Sequence, residues 1–158
     1  PIARIGRPEL SMAKTITLHT VQWGDCDPIG FVFYPNYYRW MDAAAWALYA
    51  AHGLNAETFE SRFGVHGTPL VDTGCTFRSP ARQGDALAIE SHVSKWSNRS
   101  FTIAHRFTCG NRLVAEGFET RIWGRRDRDH AEGIRAIAIP DEAKALLESA
   151  DDLDPKIT

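Results

Sequence analysis

The segment Asn36-Tyr37-Tyr38-Arg39-Trp40-Met41-Asp42-Ala43-Ala44-Ala45-Trp46-Ala47-Leu48-Tyr49-Ala50-Ala51-His52 contains no glycine or proline, and Gly53 follows where a helix end favours a left-handed residue. Pro35 stands just before it and suits a first helical turn, where a missing N–H costs nothing. Tyr37, Trp40, Met41, Ala44, Leu48 and Ala51 recur at helical spacing, while Ala43, Trp46, Ala47 and Ala50 make much of the opposite side apolar. The segment therefore reads as one long helix buried on most of its sides.

Around this helix the texture is mostly that of strands. Residues 15–23 alternate and are rich in β-branched types, and residues 65–77, 86–96, 101–109, 113–123 and 134–139 read as further strands. Gly84-Asp85, Ser97-Asn98-Arg99-Ser100 and Gly110-Asn111 are turn-forming junctions, for which an antiparallel meander is the simplest topology. Residues 125–133 form a polar excursion at a hairpin tip. Asn55 opens a short helix that Gly64 closes, and Pro140 opens another over residues 141–148. The expected fold class is α+β: an antiparallel sheet of about six strands wrapped around one long central helix.

The chain has 158 residues, enough for one domain, with 44% hydrophobic and 24% charged residues, the composition of a globular protein. Residues 1–14 read as an N-terminal extension, disordered or added, with Met12 as a natural start; residues 15–145 form the domain and residues 146–158 a C-terminal tail. A net charge of -2 gives no global attraction to nucleic acid or to an anionic membrane. The five tryptophans sit mostly in periodic core positions, which argues against a base-stacking surface. No apolar run is long enough to cross a bilayer. Cys26, Cys75 and Cys109 are odd in number and widely spaced, as expected of a reducing, cytoplasmic compartment without structural disulfides.

The chemistry concentrates just before the long helix, in Gly24-Asp25-Cys26-Asp27-Pro28-Ile29-Gly30-Phe31-Val32-Phe33-Tyr34-Pro35-Asn36-Tyr37. Pro28 keeps Asp27 extended and off any helix, and Gly30 frees the backbone to turn. A carboxylate is thus delivered close to helix-start amides able to polarise a carbonyl oxygen. Asp25 reads as a turn or capping residue that holds the loop. Cys26 has no positioned histidine in sequence and reads as packing. Asp25 and Asp27 with His19 or His66 lack a metal-ligand spacing, so no metal is expected.

The stretch Gly24-Asp25-Cys26-Asp27-Pro28-x-Gly30-x-Val32-x-Tyr34-Pro35-Asn36-Tyr37 resembles the signature of the 4-hydroxybenzoyl-CoA thioesterase family of hot-dog proteins. The likeness continues through Arg39-Trp40-Met41-Asp42-Ala43-Ala44, Gly67-Thr68-Pro69-Leu70-Val71, the Lys95-Trp96 to Ser100-Phe101 hairpin and Arg135-Ala136-Ile137-x-Ile139-Pro140, covering residues 15–145. The resemblance implies an acyl-CoA thioesterase in which Asp27 is nucleophile or general base and the backbone N–H of Tyr34 is the oxyanion donor. It implies a substrate pocket with Gly30, Asp42, His66 and Thr68, in which Asp42 meets a ring hydroxyl across a subunit interface. It also assigns Ser97, Asn98, Arg99 and Arg135 to the phosphates of CoA, although the family carries basic residues where Ser97 and Asn98 stand. Arg125, Arg126 or Arg128 compensate, or CoA binding is weaker, or the carrier is an acyl carrier protein.

CoA is then part of the substrate and no cofactor is required. The expected assembly is a homodimer with interfacial active sites, pairing further into a dimer of dimers. Competing readings are a short- or medium-chain aliphatic acyl-CoA thioesterase and a non-catalytic acyl-CoA-binding module; a hot-dog hydratase lacks its Asp/His pair here.

Overall fold

The computed structural model describes residues 13–149, so the expected extension before Ala13 and most of the expected tail lie outside the described residues. In chain order the elements are β1 (Thr15–Thr20), α1 (Pro35–Ala51), α2 (Ala56–Phe63), β2 (Leu70–Phe77), β3 (Ala86–Trp96), β4 (Ser100–Cys109), β5 (Arg112–Ile122), β6 (Gly124–Arg126), β7 (Ile134–Ala136) and α3 (Asp141–Glu148). The fold class stands as expected: a curved antiparallel sheet packed on one long helix. The sheet holds five strands in the order β1-β3-β4-β5-β2, and β6 and β7 form a separate two-stranded hairpin.

Only β3, β4 and β5 form the expected meander. β2 pairs with β5 rather than with its sequence neighbour β3, and β3 pairs instead with β1. The connection over residues 78–85 is therefore a crossover, tied down where the Val32 amide donates to the Ala81 carbonyl at 2.9 Å and the Val21 amide to the Asp85 carbonyl at 2.9 Å. Gly84-Asp85 is a turn in either topology, so turn chemistry alone does not distinguish a hairpin from a crossover. Three strands are also shorter than expected; the last, expected over residues 134–139, is only β7, Ile134–Ala136. The first ends at Thr20 because residues 23–25 wind into a 3-10 turn, and the second begins only at Leu70, after Gly67 (φ +136) and Pro69 break the extended line.

The helix divides the core into two apolar clusters. Tyr37, Met41 and Ala44 pack with Leu87, Ile89, Phe107 and Val114 around its first half, and Ala45, Leu48 and Tyr49 pack with Val93, Phe101, Ile103 and Trp123 around its second. Gly117 lets α1 approach β5: a Cβ there would run into the Met41 side chain. Asn55 caps α2 by accepting the Thr58 amide at 2.9 Å, and Gly64 ends it in the left-handed region.

Candidate active site

The loop before α1 is held by Asp25. Its Oδ2 accepts from the Gln22 amide at 2.8 Å and from His19 Nε2 at 3.1 Å, and its carbonyl accepts from Asn36 Nδ2 at 2.9 Å and the Phe33 amide at 2.8 Å. Asp25 thereby joins β1, the loop and the first turn of α1, the scaffold role its position suggests. Cys26 is half-buried against the first apolar cluster, and all three cysteines are free thiols.

Asp27 sits inside a tight turn. Its Oδ1 accepts from the amides of Ile29 at 3.0 Å and Phe31 at 3.3 Å, its own amide donates to the Phe31 carbonyl at 2.8 Å, and Gly30 (φ +81) donates to the Asp27 carbonyl at 2.9 Å. A residue with a Cβ would be strained at Gly30. Among the described residues Asp27 Oδ2 accepts no hydrogen bond and the Tyr34 amide donates none. One carboxylate oxygen is thus fixed and the other available, with an unpaired amide on the same loop.

Asp27 lines two cavities. One, of about 530 Å³, is walled by Phe31, Phe33, Tyr34, Tyr37 and Phe77 together with residues 78–81. The other, of about 610 Å³, lies between residues 23–30 and Arg82, whose guanidinium stacks 4.3 Å from the Phe31 ring centroid. Burial, with Cys75 nearby, pushes the Tyr37 hydroxyl up to about 12, so it stays neutral beside the first cavity. Burial likewise pushes the Cys75 thiol up to about 11. Among the described residues no cluster of three His, Cys, Asp or Glu side chains is arranged to hold a metal ion.

The other expected site residues lie elsewhere. Asp42 is eight residues beyond Tyr34, about 12 Å along the helix axis, and does not line the Asp27 cavities. Its Oδ1 accepts from Arg121 Nη2 at 2.6 Å. Thr68 is buried, its Oγ1 hydrogen-bonded to Tyr49 Oη at 2.9 Å and its carbonyl accepting from Arg121 Nη1 at 3.2 Å. His66 is exposed and accepts from Arg126 Nη2 at 2.6 Å. Ser97, Asn98 and Arg99 are at the opposite end of β3 from the Asp27 loop, a strand length of about 35 Å. The Asn98 carbonyl accepts from Ile139, and Arg135 is already paired with Asp127 at 2.7 Å. One chain therefore does not bring the expected CoA group to Asp27.

Arg121 stands out in the structure although no motif marks it. Its guanidinium, 5% exposed, donates through Nε and Nη2 to both oxygens of Glu119 at 3.2 and 3.0 Å, as well as to Asp42 and the Thr68 carbonyl. Behind Glu119 the row continues: His105 Nε2 donates to Glu119 Oε2 at 3.3 Å, and His105 Nδ1 is hydrogen-bonded to Ser91 Oγ at 2.8 Å. Burial works against the Arg121 charge, while Tyr49, Asp42 and Glu119 work for it, and the balance holds it above the usual arginine value. The row crosses the sheet between the two apolar clusters. The available sequence signal was alternation, since His105 sits in phase with the inward Phe101, Ile103 and Phe107.

Residues 21–147 match the model of the thioesterase-like superfamily. The chain is 37% identical over 137 residues to the 4-hydroxybenzoyl-CoA thioesterase of Pseudomonas sp. (strain CBS-3), a match covering 82% of this chain and 94% of that protein. It is 26% identical over 136 residues to the 1,4-dihydroxy-2-naphthoyl-CoA hydrolase of Synechococcus sp. (strain WH7803), covering 82% of this chain and 86% of that one. The solved structure of 4-hydroxybenzoyl-CoA thioesterase from Pseudomonas sp. strain CBS-3 superposes with a TM-score of 0.76 at 33% identity, over 85% of this chain and 99% of that one. A family model spanning most of the chain, a relative matched over nearly its whole length and a shared sheet-on-helix architecture have one reading: the chain belongs to the thioesterase-like superfamily, as a hot-dog thioesterase of the 4-hydroxybenzoyl-CoA thioesterase-like family.

Proposed function

We propose that the chain hydrolyses the CoA thioester of a hydroxylated aromatic acid, of which 4-hydroxybenzoyl-CoA is the simplest form. The observation that carries this reading is the Asp27 carboxylate, anchored through Oδ1 and unengaged at Oδ2, beside the aromatic-walled cavity and the unpaired Tyr34 amide. A thioester has a good leaving group, so a well-placed carboxylate suffices as nucleophile. Oδ2 attacks the thioester carbonyl, the C–S bond breaks, the CoA thiolate leaves with the bonding pair, and water hydrolyses the resulting acyl anhydride to free acid and Asp27. In the general-base variant Asp27 takes the proton of the attacking water instead. In both, the developing oxyanion accepts from the Tyr34 amide, an interaction worth about 2.7–4 kcal/mol in such sites.

The two curated relatives described above are named for hydroxylated aryl thioesters, which supports the choice of acyl group. Asp42 is the group for the ring hydroxyl, with Thr68 and His66 around it, and Gly30 shapes the approach to the thioester. The distance between Asp42 and the Asp27 loop within one chain favours supply of Asp42 by a second copy. The unpaired edge of β2, with exposed Leu70, Val71 and Phe77, is the surface through which a homodimer would extend the sheet; dimers would pair again. Ser97, Asn98, Arg99 and Arg135 then reach CoA from another subunit. No helix among the described residues is long and apolar enough to cross a membrane, and the three free thiols favour a cytoplasmic setting.

The test is thiol release from a panel of thioesters: 4-hydroxybenzoyl-, benzoyl- and straight-chain acyl-CoA, with 4-hydroxybenzoyl-pantetheine as a carrier lacking the nucleotide. A preference for the hydroxylated aryl thioester among the CoA substrates is expected, with lower activity on 4-hydroxybenzoyl-pantetheine, which lacks the nucleotide. A preference for straight chains would overturn the acyl assignment, and binding without turnover of any thioester would make the chain a non-catalytic acyl-CoA-binding module.

A further inference from the structure

We propose that Arg121 is a positioning residue for substrate recognition: from behind the helix it fixes the direction of Asp42 and the backbone of Thr68 together, and so sets selectivity for a ring hydroxyl. This rests on the reading of Asp42 as the hydroxyl's partner. The observation is a single buried guanidinium joined at once to two residues of the expected acyl pocket, one on α1 and one in the segment before β2, and to a buried carboxylate behind them.

The geometry explains how it acts. Asp42 is 57% exposed in its side chain, a state in which a carboxylate samples several rotamers. The 2.6 Å bond to Arg121 engages Oδ1 alone; Oδ2 accepts no hydrogen bond among the described residues and is left for an incoming donor. Arg121 is in turn fixed through the bidentate pairing with Glu119, whose side chain is 2% exposed, and Glu119 is held by His105, itself hydrogen-bonded to Ser91. Planar guanidinium geometry carries this rigidity in a way an ammonium does not. A site with an oriented, unshared acceptor discriminates strongly against a ring that lacks the donor, because the acceptor is then desolvated without a partner. Stability alone gives little reason for such a row, since a buried ion pair is often no better than a well-packed apolar one.

The experiment is steady-state thiol release from 4-hydroxybenzoyl-CoA and benzoyl-CoA by the full chain, as wild type, Arg121→Lys, Asp42→Ala and the double variant. Arg121→Lys keeps the charge and loses the fork. It is expected to lower the ratio of kcat/KM for the hydroxylated over the plain substrate by about tenfold or more, chiefly through KM of the hydroxylated one. The double variant is expected to fall no further in that ratio than Asp42→Ala alone, because the two side chains act as one unit. Equal losses on both substrates, or additive losses in the double variant, would reduce Arg121 to a structural residue and overturn the proposal. Should Arg121→Lys not fold, Glu119→Gln, which loosens the guanidinium without touching Asp42, is expected to move the same ratio in the same direction, and an unchanged ratio overturns it. A wild type indifferent to the hydroxyl sinks the acyl assignment and this inference together; a wild-type preference that survives Arg121→Lys sinks only this inference.

Discussion

Arg121 and Asp42 form an asymmetric pair: Nη2 and Oδ1 lie 2.6 Å apart, yet the arginine is 5% exposed and the aspartate 57%. The buried partner is therefore committed to the fold as well as to its proposed role beside Asp42. Arg121→Ala leaves the Glu119 carboxylate buried without its main counter-charge, and the expected cost is about 3–5 kcal/mol. Replacing Arg121 by Met and Glu119 by Gln together is expected to cost clearly less than Arg121→Ala. Urea unfolding followed by tryptophan fluorescence measures both; equal costs would contradict the account of the buried row.

The approach of α1 to the sheet depends on Gly117. Alanine there meets the Met41 side chain and the Gly74 carbonyl, and overpacking of this kind costs about 1–3 kcal/mol. Gly117→Ala is expected to lower the Tm in the wild type but to lower it less in a Met41→Ala background, where the clashing sulfur is gone, although Met41→Ala is itself destabilising because Met41 is fully buried. Thermal unfolding of the single and double variants decides the matter.

Alkaline stability follows from two buried neutral groups. Cys75 is raised by burial from 9.0 to about 11 and Tyr37, again chiefly by burial, from 10.0 to about 12. Below pH 9 both are protonated in folded and unfolded chain alike. Above it the unfolded chain gives up its protons first, so stability falls as pH rises through the 9–12 window. Cys75→Ala is expected to flatten the first part of that fall, measured as Tm against pH; an unchanged slope between pH 9 and 11 would contradict it.

The β2 edge supplies the assembly prediction. Val71 is 56% exposed on a strand with one side unpaired. Val71→Lys places a charge where a second copy would pair, a substitution edge strands use against association. Sedimentation should show the variant shifted towards monomer, with thioesterase activity lost in proportion, whereas a fully active monomer would refute an interfacial site.

Much of this was legible from the sequence because the signals are local. The run from Asn36 to His52 announces its own helix, Asn55 and Gly64 their caps, and the Asp27-Pro28-x-Gly30 loop its turn. What escaped is non-local. The pairing of β2 with β5 depends on a crossover whose turn residues look like those of a hairpin. The row from Ser91 through His105 and Glu119 to Arg121 joins three strands, and only their register brings it together. Asp42 is singled out by the family resemblance, but its partner Arg121, 79 positions away, carries no local signal.

The proposed role of the Asp27 carboxylate in thioester cleavage is tested most directly by Asp27→Asn, because the amide retains the side chain's shape and an oxygen for the Ile29 and Phe31 amides. Thiol release from 4-hydroxybenzoyl-CoA under saturating conditions is expected to fall by about 10²–10⁴-fold, with substrate binding retained. Turnover within a few-fold of the wild type would contradict the account.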